Sequence, residues 1–129
     1  MGETDNIEFW VGVAYSRSNM PVEAETHFRN AIKQNPQNTT YVRFLARLLI
    51  FENINLNEGM ELIEELEESF PDDKSILTAK GWGCYKMGRY MEALQYLRRV
   101  EELGVDISIE DDLQQQIQEV EQALASQNN

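Results

Sequence analysis

Apolar residues recur along this chain at three- and four-residue spacing and are interrupted at regular intervals by Asn, Pro and Gly. That pattern predicts a train of short amphipathic α-helices. Phe9, Val11, Gly12, Ala14 and Tyr15 mark the first; Asn19 and Pro21 break it. Ala24, Phe28, Ala31 and Ile32 mark the second, which Asn35-Pro36 ends. Val42, Leu45, Leu48 and Leu49 form a third stripe, and the Asn-rich turn at 53–57 follows. Gly59, Leu62, Ile63, Leu66 and Phe70 form a fourth, stopped by Pro71. Asp72 and Asp73 are placed to cap a fifth helix. Lys86-Met-Gly-Arg-Tyr90 is a tight turn in which Gly88 takes a left-handed backbone. Ala93, Leu94, Leu97, Val100 and Leu103 continue a sixth helix to Gly104.

The spacing between these helices is itself periodic. Ala24, Gly59 and Ala93 lie 35 and then 34 residues apart, and Pro36 and Pro71 keep one offset from the first two. A period of this size marks helical hairpins that bury their apolar faces against their neighbours. The units run over about 5–38, 39–73 and 74–107. The one-residue excess in the second falls in the Asn53–Asn57 turn, since loops absorb insertions cheaply. A seventh helix, about 109–126, has Ser108 as its expected N-cap and a single stripe of Leu113, Ile117, Val120 and Leu124. Its opposite face is polar, as a terminal cap requires. Gly12, Ala24, Gly59, Gly81 and Ala93 are expected where helices cross, letting backbones approach to the close end of the ~8–10 Å range.

These residues resemble the tetratricopeptide repeat, whose signature is W-x2-L-G-x2-Y followed by A-x3-F, A and P. In the first unit Val11-Gly12 and Tyr15 match L-G and Y, and Ala24, Phe28, Ala31 and Pro36 match the later positions; Glu8 stands at the tryptophan position. In the third unit Gly81, Tyr90 and Ala93 match, with Cys84 at the tyrosine position. The second keeps Gly59 and Pro71. The resemblance implies an all-α, right-handed α-solenoid: one domain over 1–129, with three helix-turn-helix repeats and a capping helix.

Composition narrows the function. The net charge of −12 over 129 residues repels nucleic acid. No apolar run reaches the ~20 residues of a membrane span, and the N-terminus has neither a signal-peptide pattern nor a myristoylation site. A single cysteine makes no internal disulfide, which favours a reducing compartment and a cytoplasmic location. Glu58, Glu61, Glu64, Glu65, Glu67, Glu68, Asp72 and Asp73 crowd one segment with Lys74 as the one cation among them; a solvated helix face accounts for them, with an acidic docking patch or cation site as the alternative. His27 is the sole histidine and Cys84 sits at a core position, so acid–base, nucleophilic and metal chemistry find no constellation. There is no phosphate-binding glycine loop either. No catalytic residue, cofactor or metal is expected, and the protein is read as a non-enzyme.

The resemblance further implies that the first helix of each hairpin lines a concave groove. Carried onto this sequence, the groove residues are Phe9, Val13, Arg17, Arg43, Arg47, Phe51, Trp82, Tyr85 and Lys86, flanked by Asn6, Ser16, Thr40, Ile50, Ser75 and Thr78. Arginines with aromatic neighbours suit an extended peptide that carries a carboxylate or acidic side chains and an apolar anchor. The family's carboxylate-clamp members, which hold chaperone C-termini, use Lys and Asn on these helices; Phe9 and Val13 stand at the corresponding first-unit positions, which argues against that ligand. The expected partner is therefore another protein or peptide. The alternative is a structural or homo-oligomeric module that leaves the groove empty.

Overall fold

The computed structural model describes residues 3–127. Among them are seven α-helices and no strand: α1 (Glu3–Arg17), α2 (Pro21–Gln34), α3 (Thr39–Phe51), α4 (Leu56–Ser69), α5 (Lys74–Lys86), α6 (Tyr90–Leu103) and α7 (Ile107–Gln127). They pack as two compact units, one ending at Leu66 and the other beginning at Glu67.

Each hairpin is built on one local design. Gly12, Ala46 and Gly81 face Ala24, Gly59 and Ala93 across the α1/α2, α3/α4 and α5/α6 crossings. A Cβ added at Gly12 would lie 2.7 Å from the Phe28 ring. One at Gly59 would meet Ile50 Cγ1 at 2.7 Å and the Ala46 carbonyl at 3.1 Å, and one at Gly81 would meet Leu97 at 3.0 Å. Seven residues after the crossing residue comes the turn: Asn19, Asn53 and Gly88 have φ of 60°, 57° and 80°. This is the left-handed region, which Gly adopts freely and Asn tolerates. The next amide then closes the first helix on the carbonyl five residues back: Met20 on Tyr15 (2.9 Å), Ile54 on Leu49 (3.1 Å) and Arg89 on Cys84 (2.8 Å), as in a Schellman motif.

The second helix of each pair starts from a carbonyl at Met20, Asn55 or Arg89, which accepts from Ala24, Gly59 or Ala93 at 2.9–3.1 Å. Met20 and Arg89 lie eight residues past their crossing residues and Asn55 lies nine, so the extra residue does fall in the Asn-rich turn. There Asn55 Oδ1 caps α4 by accepting from the Glu58 amide at 3.1 Å. Between hairpins the prolines sit in a short turn that ends in a cap. Asn38 Oδ1 accepts from Thr40 N at 3.0 Å, and Asp73 Oδ1 accepts from Ser75 N at 2.9 Å and Ile76 N at 3.2 Å. Asp73 is therefore the cap of α5, and Asp72 turns instead to Arg99, at 3.1 Å.

Three expectations are corrected. Ala14 and Phe70, assigned to apolar stripes, are exposed. α7 starts at Ile107, two residues earlier than expected, with the Asp106 carbonyl accepting from Glu110 N at 3.1 Å. Ser108 thus lies inside the first turn; its side chain is outside the described residues. The α7 stripe holds: Leu113, Ile117 and Val120 are buried, on a helix that packs against α6.

The core of the first unit is aromatic. Phe9 stacks on Tyr41 at 4.9 Å and meets Phe28 at 5.8 Å and the edge of Phe44 at 4.9 Å, among buried Ala24, Ala31, Leu45, Leu48 and Leu49. One carboxylate is buried with them. Asp5 accepts from the Tyr41 hydroxyl at 2.8 Å and from Asn35 Nδ2 at 3.4 Å, which ties α1 to α3 and to the turn between. In the second unit Ile76, Leu77, Ala79, Cys84, Leu97 and Val100 are buried.

The crossings make a direct prediction. Gly59→Leu should lower the free energy of unfolding by about 1–3 kcal/mol through overpacking, measured as a shift of the urea midpoint. A neutral result would mean that α3 and α4 do not cross at this distance.

Candidate functional site

α3 forms because Asn38 caps it and because Tyr41, Leu45, Leu48 and Leu49 repeat at helical spacing on its buried side. That fixes the phase of the helix and leaves Arg43, Arg47 and Phe51 in a row at four-residue spacing, all half-buried. The Arg47 guanidinium lies 4.9 Å from the centre of the Phe51 ring, a distance at which the ring face attracts a cation. Arg17, the last residue of α1, is exposed. Of the groove residues expected in the first unit, Arg17, Arg43, Arg47 and Phe51 are thus the ones that reach the surface.

Phe9 and Val13 do not join it as surface. They are 5% and 6% exposed and belong to the core, because α3 lays Tyr41 and Phe44 against Phe9. Ile50 is likewise buried, against the Gly59 crossing. On α5, in the second unit, Trp82 and Tyr85 face each other with ring centres 4.7 Å apart, and Tyr85 lies 5.8 Å from Tyr90. Lys86 follows at the helix end; all three are half-buried.

The acidic run is not the open patch its sequence describes. Arg29 grips Glu58 with both terminal nitrogens, at 3.0 and 2.8 Å, and Glu25 with Nε at 2.9 Å, joining α2 to α4. Its hydrogen bonds to Glu58 hold the guanidinium pKa well above its ordinary value, and the same bonds hold the Glu58 carboxyl below 4.5. Glu67 pairs with Lys80, whose ammonium also lies 4.7 Å from the Tyr96 ring. Burial works most strongly against that charge, but the hydrogen bonds that Lys80 makes to Glu67 and Tyr96, with their charge attraction, together outweigh it and the Lys80 pKa is raised. With Asp72 on Arg99 and Asp73 capping α5, four of the eight acids have structural duties. Glu61, Glu64, Glu65 and Glu68 face solvent.

His27 also has a partner. Its Nδ1 lies 2.6 Å from Glu8 Oε2 on α1, and its ring stacks on Tyr15 at 5.3 Å. Among the described residues no group of three or more His, Cys, Asp or Glu could hold a metal ion, and no helix is long and apolar enough to cross a membrane. Cys84 is buried.

No protein-family model matches the chain. A TPR repeat-containing protein of Pseudomonas aeruginosa is 28% identical over 94 residues, which is 73% of this chain and 16% of that protein. The first TPR domain of Spaghetti (RPAP3), solved bound to the HSP90 peptide SRMEEVD, superposes with a TM-score of 0.77 at 15% identity, covering 97% of this chain and 96% of that one. The TPR domain of P58(IPK) reaches 0.83 at 12% identity over 95% of this chain and 34% of the other. A TPR protein of Thermus thermophilus gives 0.77 at 20% identity over 96% and 68%. This chain has the tetratricopeptide repeat fold.

The tetratricopeptide register explains where the sequence departs from its pattern. Glu8 stands at the pattern's tryptophan position and pairs with His27, whose ring stacks on Tyr15. Cys84 replaces a tyrosine and is buried at 1% exposure, so it packs as a small apolar side chain. Sequence reasoning missed Asp5, Glu8 and Arg29 because their partners lie 19 to 36 residues away and follow no fixed spacing. The signal that could find them is the repeat phase itself, which places Arg29 beside the start of α4.

The Arg29–Glu58 pair has a pH signature. A carboxyl held below its ordinary pKa favours the folded state above pH 4.5, and that contribution fades as pH falls through the depressed value. Glu58→Gln should therefore cost at most about 1 kcal/mol at neutral pH, as suits a partly exposed pair. The gap between the two urea midpoints should close on acidification. A gap that persists unchanged would mean that Glu58 acts through packing.

Proposed function

We propose that this chain is a protein-interaction module whose first-unit site takes an extended peptide segment carrying acidic side chains or a terminal carboxylate. The observation that carries this reading is the Arg43–Arg47–Phe51 row on α3. In a chain of net charge −12, two guanidiniums lie on one helix face with an aromatic ring beneath the second. Arg presents paired, directional donors to carboxylates, and Phe51 supplies apolar contact next to them. Exposed Arg17 adds a third guanidinium within the same unit. The structural likeness to a repeat domain that holds an HSP90 peptide supports the class of ligand. The buried Phe9 and Val13, standing where the family's chaperone clamps use Asn and Lys, argue for a different carboxylate-bearing sequence. Trp82, Tyr85 and Lys86 give α5 an aromatic and cationic face of its own, suited to an apolar anchor residue.

The test is fluorescence anisotropy with short labelled peptides that differ in acidic content and in a free or amidated C-terminus. Binding should weaken with added salt, because contacts between Arg and carboxylate are screened. Arg43→Glu with Arg47→Glu should lower affinity by more than about tenfold, as expected for losing charge-assisted hydrogen bonds, while helicity stays unchanged. Equal affinity for acidic and neutral peptides, or no loss in the double variant, would refute the reading and leave a structural module as the alternative.

A further inference from the structure

The arginine row of α3 carries a spacing, and spacing can select among peptides of one charge. Arg43, Arg47 and Phe51 stand at four-residue intervals on α3, and a row of that kind leans about 26° from the helix axis. With a rise of about 1.5 Å per residue, successive members lie about 6.7 Å apart measured along the row. Side chains on one face of an extended strand repeat every second residue, at about 6.4–6.8 Å. The two repeats coincide. A polyproline segment repeats its face every third residue, at about 9.3 Å, and falls out of step at the second contact. A helical partner binds through several apolar anchors on one face, whereas the row offers a single ring.

Charge orders the contacts along the row. α3 contains no acid, and the nearest one in sequence is Glu52, exposed directly after Phe51. The positive end of the helix dipole lies toward Arg43 and the negative end toward Phe51. Both effects favour carboxylates at Arg43 and Arg47 and oppose one at Phe51. There the ring, 4.9 Å from the Arg47 guanidinium, offers apolar contact instead. Half-burial of all three side chains and the contact between Arg47 and Phe51 restrict their rotamers, so the spacing exists before a ligand arrives.

We infer, building on the arginine row as the peptide site, that it selects an extended segment with two acidic residues two positions apart and a large apolar residue two positions beyond. The acids meet Arg43 and Arg47, and the apolar residue meets Phe51. Read from the Arg43 end, the pattern is acid-x-acid-x-apolar. A pair of acids at another spacing reaches one arginine and misses the other.

Fluorescence anisotropy on the full chain, with labelled peptides of one composition, tests the register. Each peptide carries two Asp and one Leu among Ala and Ser, with the acids two, three or four positions apart and the Leu two beyond. Each is made in both chain directions. Net charge is constant, so long-range steering is the same for all. In its better direction the two-apart peptide should bind about tenfold more tightly than the others, as expected for one additional charge-assisted hydrogen bond. Arg43→Gln, with circular dichroism unchanged, should bring it down to their affinity. Phe51→Ala should abolish the preference for Leu over Ser at the last position and leave the acid spacing preference intact. Equal binding by all peptides would overturn the register and leave an acidic-peptide site standing. Tightest binding with the acids four apart would overturn it in favour of a helical ligand. No binding by any of them would refute the site itself, and the register with it.

Discussion

Close approach of two helix backbones, one crossing in each hairpin, is the constraint on which the rest of this molecule depends. At Gly12, Gly59 and Gly81 a single added carbon already meets a side chain at 2.7–3.0 Å, so the distance between helices is set by the absence of a side chain. Once it is set, the phase of each helix is set too. Ala24 and Ala93 must face the glycine, which turns Phe28 and Leu97 inward one turn later. The turn must then be short enough to bring the second helix back over the first. Asn19, Asn53 and Gly88 occupy the one position where the chain reverses through a left-handed residue, and in each hairpin the same amide-to-carbonyl bond closes it. The period is the sequence image of that geometry.

Polar side chains then do what the crossings cannot. Arg29 fastens α2 to α4, Asp5 fastens α1 to Tyr41, Glu8 fastens α1 to His27 and Glu67 fastens itself to Lys80. These pairs draw on the chain's large surplus of acid, so a sizeable part of the negative charge is consumed internally. A charge run counted from sequence overstates the field at the surface for this reason. The carboxylates left facing solvent, such as Glu61, Glu64 and Glu65, keep the outer face of α4 wet.

How much could be read without coordinates follows from the range of each interaction. Most helix boundaries, the left-handed Gly88, a cap at Asp72 or Asp73 and the inserted residue near Asn55 depend on neighbours within a few residues, and the repeat comparison exposes them. The helix-crossing glycines were legible because they recur. Phe9 was misjudged as groove surface because its exposure depends on Tyr41 and Phe44, more than thirty residues on, and Val13 is buried in the same core. Asp5 and Arg29 were missed for the same reason. Of the candidate site, Arg43, Arg47 and Phe51 came from the resemblance, and spacing put the two arginines on one helix face; the Phe51 ring beside the Arg47 guanidinium required the side-chain geometry.

The same register also shows why equivalent positions need not share a role. Five residues before the crossing, Tyr41 and Ile76 are core while Ile7 meets water, although all three are large and apolar. What differs is the cover. α7 answers an uncovered face with composition: Asp111, Asp112, Gln115, Gln118 and Glu121 are exposed opposite its single apolar stripe. α1 does not. Its open stripe keeps Ile7 and Trp10 where Gln or Glu would serve solubility and helix propensity at least as well. Burial at an equivalent position is therefore set by the helices packed around it and not by the repeat phase alone.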